Sequence, residues 1–169
     1  TLKSYQPTVL EYIVRGDGTG ITADGKEHYQ EAMNDAAAAY QMALLWKLTG
    51  DDAYAEASVR VMNAWVAGCK GIKSNDANQM LAAGAQGYTF AGEIMRDYYQ
   101  NKNPQDFAKF KEWMLTVFAA KNKDFMTRHQ GTCDEHYWSN WDLVNMCSYF
   151  AIGILTEDDE MANFVVNYF

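Results

Sequence analysis

Apolar residues recur along this chain at the three-and-four spacing of a single helix face, in stretches separated by short polar turns. The first stretch carries Ala36, Tyr40, Ala43, Leu44 and Leu48, set among strong helix formers, and Gly50 supplies a stop. Asp51 or Asp52 can cap a second helix that runs to about Ala67 with Tyr54, Ala57, Val61, Ala64 and Trp65 on one face. A turn of only a few residues joins the two, which predicts an antiparallel hairpin. Trp46, Trp65 and Trp113 each fall on an apolar stripe and are expected in the core.

The pattern repeats. A third helix is expected from about Asn78 to Tyr99, rich in small residues such as Ala83, Gly84, Ala85, Gly87 and Gly92. Glycine is costly inside a helix, so these positions predict close packing against a neighbour. Pro104 suits the first turn of a fourth helix, to about Ala120, with Phe107, Phe110, Trp113, Met114, Val117 and Phe118 on its apolar face. A fifth helix is expected from about Ser139 to Leu155, and Thr156 or Asp158 can cap a sixth. The hairpins then cover about 30–67, 78–120 and 139–169. Leu48-Thr49-Gly50-Asp51-Asp52 is echoed by Leu155-Thr156-Glu157-Asp158-Asp159, each time between two apolar helices. The fold class is therefore all-α: one domain over 1–169, built of consecutive antiparallel hairpins in the manner of a solenoid or part of an (α/α) toroid, an incomplete barrel. The last helix ends in Phe164-Val165-Val166-Asn167-Tyr168-Phe169, where a terminal repeat would turn a polar face outward. The expectation is that the chain continues, or that a partner supplies the remainder of the ring.

Composition narrows the function. Residues 1–28 are irregular, and their Arg15-Gly16-Asp17 and spaced glycines read as a surface loop. A net charge of −8 excludes a general nucleic-acid surface, which needs a basic stripe. No apolar run reaches membrane length. Cys69, Cys133 and Cys147 form no C-x-x-C and no disulfide framework, and no metal-ligand spacing is present, so neither metal nor cofactor is expected. The chain begins at Thr1 with no signal segment, as a mature or excised product would.

Chemistry concentrates between Thr127 and Asn145, which holds two of the three histidines, His129 and His136. Lys121, Lys123 and Arg128 make it the most basic neighbourhood of an acidic chain. Tyr137, Trp138 and Trp141 offer ring faces beside polar donors, which is what stacking a pyranose and bonding its hydroxyls requires. Asn140 falls in the first turn of the fifth helix and His136 one turn earlier; both could also simply cap that helix. Asn140 and Asn145 lie about 140° apart on an ideal helix and need not face the same cleft. Asp142 is placed to orient a loop or a histidine. Tyr88 could line the cleft, although core packing suits it better. Arg96 can pair with Glu93 or with a neighbouring hairpin.

Three segments carry a family resemblance: Asp35 to Trp65, Glu93-Ile94-Met95-Arg96, and His136-Tyr137-Trp138-Ser139-Asn140-Trp141-Asp142-Leu143. In these the chain resembles the alginate lyase superfamily of polysaccharide lyases, which have an α/α toroid fold. The resemblance implies β-elimination of a uronate-containing polysaccharide such as alginate or a glucuronan, by a secreted or periplasmic protein. It makes Asn140 the carboxylate neutraliser and His136 the base or a second neutraliser. Tyr137, Trp138 and Trp141 would bind sugar, Arg128 and His129 would hold substrate carboxylates, and Tyr88 joins them as a cleft candidate. The sequence also departs from the family pattern. Where better-known members carry an Asn-His pair, this chain has Asp134 and Glu135. The family's acid–base Tyr and its Arg lie in later hairpins. Two other readings remain: a non-catalytic carbohydrate-binding or structural domain, and a toroid glycoside hydrolase using carboxylates among Asp134, Glu135 and Asp142.

Overall fold

A computed structural model of the chain describes residues 28–72, 82–136 and 140–169. The elements among these residues are all helical. The irregular first segment and the start of the third predicted helix fall outside them, as do Tyr137 and Trp138.

Helix α1 spans Tyr29–Thr49 and α2 spans Asp52–Gly68. Gly50 turns between them at φ 72°, a left-handed conformation that glycine adopts without steric cost. Asp51 then caps α2, its Oδ1 accepting from Ala53 N at 3.0 Å. The echoed segment builds the same turn. Helix α7 spans Asn140–Thr156, α8 spans Asp159–Tyr168, and Glu157 takes the left-handed position at φ 61°. Asp158 caps α8 through Met161 N at 3.1 Å. Thr49 and Thr156 complete the parallel, donating to Leu45 O and Ile152 O at 2.7 and 2.8 Å.

The middle hairpin is longer than the pattern predicts. After a helical turn at 82–84, α3 (Gln86–Ile94) and α4 (Arg96–Lys102) make its first arm. Its second arm is a continuous rod of α5 (Pro104–Trp113), a π-helical segment (Met114–Ala119) and α6 (Ala120–Arg128). The expected end near Ala120 is thus corrected to Arg128. The apolar stripe stops in the sequence at Phe118, but the helix continues because Asn122 takes the next inward position, fully buried. Phe125 and Met126 then resume the stripe.

The hairpins pack in two layers. α1 contacts α3 and α3 contacts α7, each skipping the helices between, while α2 contacts α5. Across the layers α1 meets α2, and α7 meets both α6 and α8. The small residues of α3 explain the first of these contacts. A Cβ on Gly87 would stand 2.9 Å from the backbone of Ala36, closer than a side chain can approach, so α1 and α3 meet there almost backbone to backbone. Trp65 and Trp113 are buried as expected. Trp46 is only half-buried, its Nε1 donating to Asp52 Oδ1 at 3.2 Å, and Leu48 is exposed in the last turn of α1. Arg96 does both things expected of it. It pairs with Glu93 at 2.6 Å and Glu157 at 2.9 Å, and donates to the carbonyls of Ile154 and Leu155 at the C-terminal end of α7.

Candidate active site

The segment rich in candidate chemistry lies where α6 ends, α7 begins and α8 ends. α6 closes at His129, whose φ of 42° begins a run of left-handed residues continued by Gln130 at 56° and Gly131 at 81°. For the two non-glycine residues this conformation costs on the order of 1 kcal/mol each. Two short 3₁₀ turns, His129–Gly131 and Asp134–His136, then carry the chain toward α7.

His129 lies inside the protein and not in an open cleft. Only 3% of it is exposed, and its Nε2 stands 2.9 Å from Oδ1 of Asp142, itself 3% exposed. Tyr168, in the last turn of α8, places its hydroxyl 2.9 Å from the same Nε2 and 3.2 Å from the same Oδ1. A carboxylate can only accept, so the proton arrangement follows. Nε2–H and the Tyr168 hydroxyl both donate toward Asp142, and the imidazole carries a hydrogen on Nε2. Asp142 sits in the first turn of α7, where the helix dipole favours its negative charge. Phe125 packs edge-on against the His129 ring and tilted against Trp141, which closes the apolar side. Asp142 therefore orients a histidine, and that histidine is His129. Buried and bonded in this way, Asp142 is not available as one of a pair of hydrolytic carboxylates.

A second polar group lies one turn deeper. Asn122 Nδ2 donates to Asn145 Oδ1 at 2.8 Å, and Asn145 Nδ2 donates to Trp141 O at 2.9 Å. Ser148 Oγ lies 2.8 Å from Ala82 O and 3.1 Å from Asn122 Oδ1. All three side chains are fully buried, so their amide and hydroxyl groups are satisfied by one another and by backbone. This ties α6 to α7 beneath the candidate site.

The other predicted residues divide by position. Asn140 opens α7 and His136 closes the second 3₁₀ turn; both are exposed, as is Glu135. Asn140 faces solvent while Asn145 faces the core, as their angular separation predicts. Arg128 is exposed and ion-paired with Asp124 one turn back on α6. Trp141 is half-buried. Tyr88 is 1% exposed, donates to Ala32 O at 3.1 Å and packs edge-on against Trp113, so it is a core residue that no sugar can reach. The structure thus brings His136, Asn140, Trp141 and His129 to one end of the helical stack and leaves Tyr88 out. Tyr168 was missed in the sequence because nothing local marks it; it reads there only as the last member of an apolar helix.

A sequence model of a family described as Alginate lyase matches residues 3–169. No curated protein and no solved structure matches the chain.

Proposed function

Since the chain belongs to the alginate lyase family, we propose that it serves a polysaccharide lyase that cleaves a uronate-containing polymer, alginate or a glucuronan-like chain, by β-elimination. The observation that carries this reading is the family match over residues 3–169. The chemistry needs three things. A donor must neutralise the uronate carboxylate so that the C5 proton becomes acidic. A base must take that proton as the C4–O bond breaks and the C4=C5 double bond forms. An acid must return a proton to the leaving oxygen.

Asn140 and His136 suit the first two roles. Both are exposed, and Asn140 stands at a helix N-terminus, where backbone N–H groups and the dipole attract an anion. Arg128 would add a positive charge at the rim by exchanging Asp124 for a substrate carboxylate. Trp141, with Tyr137 and Trp138, would supply sugar-stacking faces. Leu143, Phe150 and Ile154 form an exposed apolar stripe along α7. We read that stripe as the face that the remainder of the toroid covers, from the same chain or another. A polymeric substrate implies a secreted or periplasmic site of action. No helix among the described residues is long and apolar enough to cross a membrane.

The test uses protein carrying this chain, incubated with polymannuronate, polyguluronate and glucuronan. Elimination yields an unsaturated uronate that absorbs in the ultraviolet. Asn140→Ala and His136→Ala are each expected to lower kcat by about a hundredfold. New reducing ends without that absorbance would indicate a hydrolase. Binding with no change in polymer length would indicate a carbohydrate-binding domain. Undiminished elimination in both variants would overturn the residue assignment.

A further inference from the structure

We propose that His129, Asp142 and Tyr168 are positioning residues, a three-way clamp that holds the His129–His136 loop and the first turn of α7 in the arrangement a bound uronate chain meets. The clamp's purpose rests on the lyase reading above; its existence rests on the geometry alone.

The clamp joins three elements. His129 comes from the end of α6, Asp142 from the start of α7 and Tyr168 from the end of α8, with distances of 2.9, 2.9 and 3.2 Å among their polar atoms. Among the described residues, Asp142 Oδ2 is buried without a hydrogen-bond partner, so the carboxylate's hydrogen bonds all pass through Oδ1 to the clamp. A helix end needing only a buried filler would be served more cheaply by an apolar side chain. The left-handed run at His129 and Gln130 points the same way, because strained backbone persists only where its surroundings fix it.

A path leads from the clamp to each candidate catalytic residue. The His129 carbonyl accepts from Thr132 N at 3.0 Å and from Thr132 Oγ1 at 2.7 Å. The carbonyl of Cys133, the next residue, accepts from His136 N at 3.1 Å. Successive turns thus connect the imidazole of His129 to the backbone of His136. On the other side, Asp142 lies two residues beyond Asn140 in the same helical turn. Fixing Asp142 to His129 therefore fixes the spacing between the loop that bears His136 and the helix start that bears Asn140.

The experiment compares Tyr168→Phe and Asp142→Asn with the parent protein. Both keep side-chain volume and remove, respectively, one hydroxyl and one charge. Misplacing catalytic groups slows the chemical step more than it weakens binding, so kcat on the uronate polymer should fall about tenfold or more while KM moves less than about threefold. Amide exchange at Thr132 and His136 should rise about tenfold with the global melting temperature little changed. His129→Gln, which keeps a side-chain N–H, should recover part of the kcat lost in His129→Ala. If His129→Ala does not fold, Tyr168→Phe decides alone. Unchanged exchange and unchanged kcat would overturn the clamp, as would kcat loss that merely follows global melting. If the parent protein eliminates none of the uronate polymers, the lyase reading falls and the exchange measurement by itself decides the clamp.

Discussion

The two ends of the helical stack are held by different chemistry. Around α1, α2, α3 and α5, the interior is rings and small residues. Tyr88 packs on Trp113 and Phe118, Phe110 on Trp113, and Gly87 lets α1 and α3 touch. Fewer polar side chains are buried there: Trp65 Nε1 donates to Asp35 Oδ2 at 2.7 Å, while the buried hydroxyl of Tyr54 has no hydrogen-bond partner among the described residues. Where α6, α7 and α8 meet, five buried polar side chains (Asn122, His129, Asp142, Asn145 and Ser148) and the half-buried Tyr168 hold the helices by directed hydrogen bonds. Apolar burial is non-directional, whereas hydrogen bonds require a particular donor–acceptor geometry. The end that carries Asn140 and His136 is the one built of directional contacts.

Four measurements would break or sharpen that contrast. Phe118→Ala should cost the most stability, about 3–5 kcal/mol in denaturant unfolding, because a fully buried ring leaves a cavity beside Tyr88 and Trp113. Asp142→Ala should cost about 3 kcal/mol, since His129 and Tyr168 then lose a shared acceptor inside the protein. Were Asp142→Ala to cost more than Phe118→Ala, the polar end and not the aromatic end would dominate stability.

The third measurement is a pH titration of the aromatic end. Burial, reinforced by the nearby charge of Asp106, holds the Tyr99 phenol well above the usual tyrosine range. Its hydroxyl donates to Asn63 Oδ1. Above the unfolded-state value of about 10 the unfolded chain releases this proton while the native protein keeps it, so stability falls by up to about 1.4 kcal/mol per pH unit. Below that value the contribution is fully present. Tyr99→Phe should flatten the alkaline limb of a stability–pH curve, and an unchanged limb would assign it to other groups.

The smallest effect compares the two equivalent turns. Gly50 meets the left-handed requirement at one end, while Glu157 meets it at the other with a side chain. Glu157→Gly should raise stability by up to about 1 kcal/mol in thermal unfolding, since relief of the backbone outweighs an exposed ion pair to Arg96. A loss of stability would show that this ion pair matters more than surface pairs usually do.

Sequence alone determined the helical hairpins, because amphipathic spacing and turn chemistry are local. Leu48 to Asp52 and Leu155 to Asp159 announce the same turn twice, and the structure builds it twice, down to the capping aspartates. Sequence, through the residues it shares with a known family, also marked the end of the stack where candidate catalytic groups gather. It stopped the fourth helix too early, because Asn122 is polar and its buried partners Asn145 and Ser148 lie on another helix. It set Tyr88 near the cleft because ring chemistry is the same in a core and at a sugar site. It could not join His129 to Tyr168, 39 residues away, because nothing local couples them. Tertiary structure decided those pairings: burial removes water as the alternative partner, and a buried polar group must then bond to whatever the packing of distant helices places within reach.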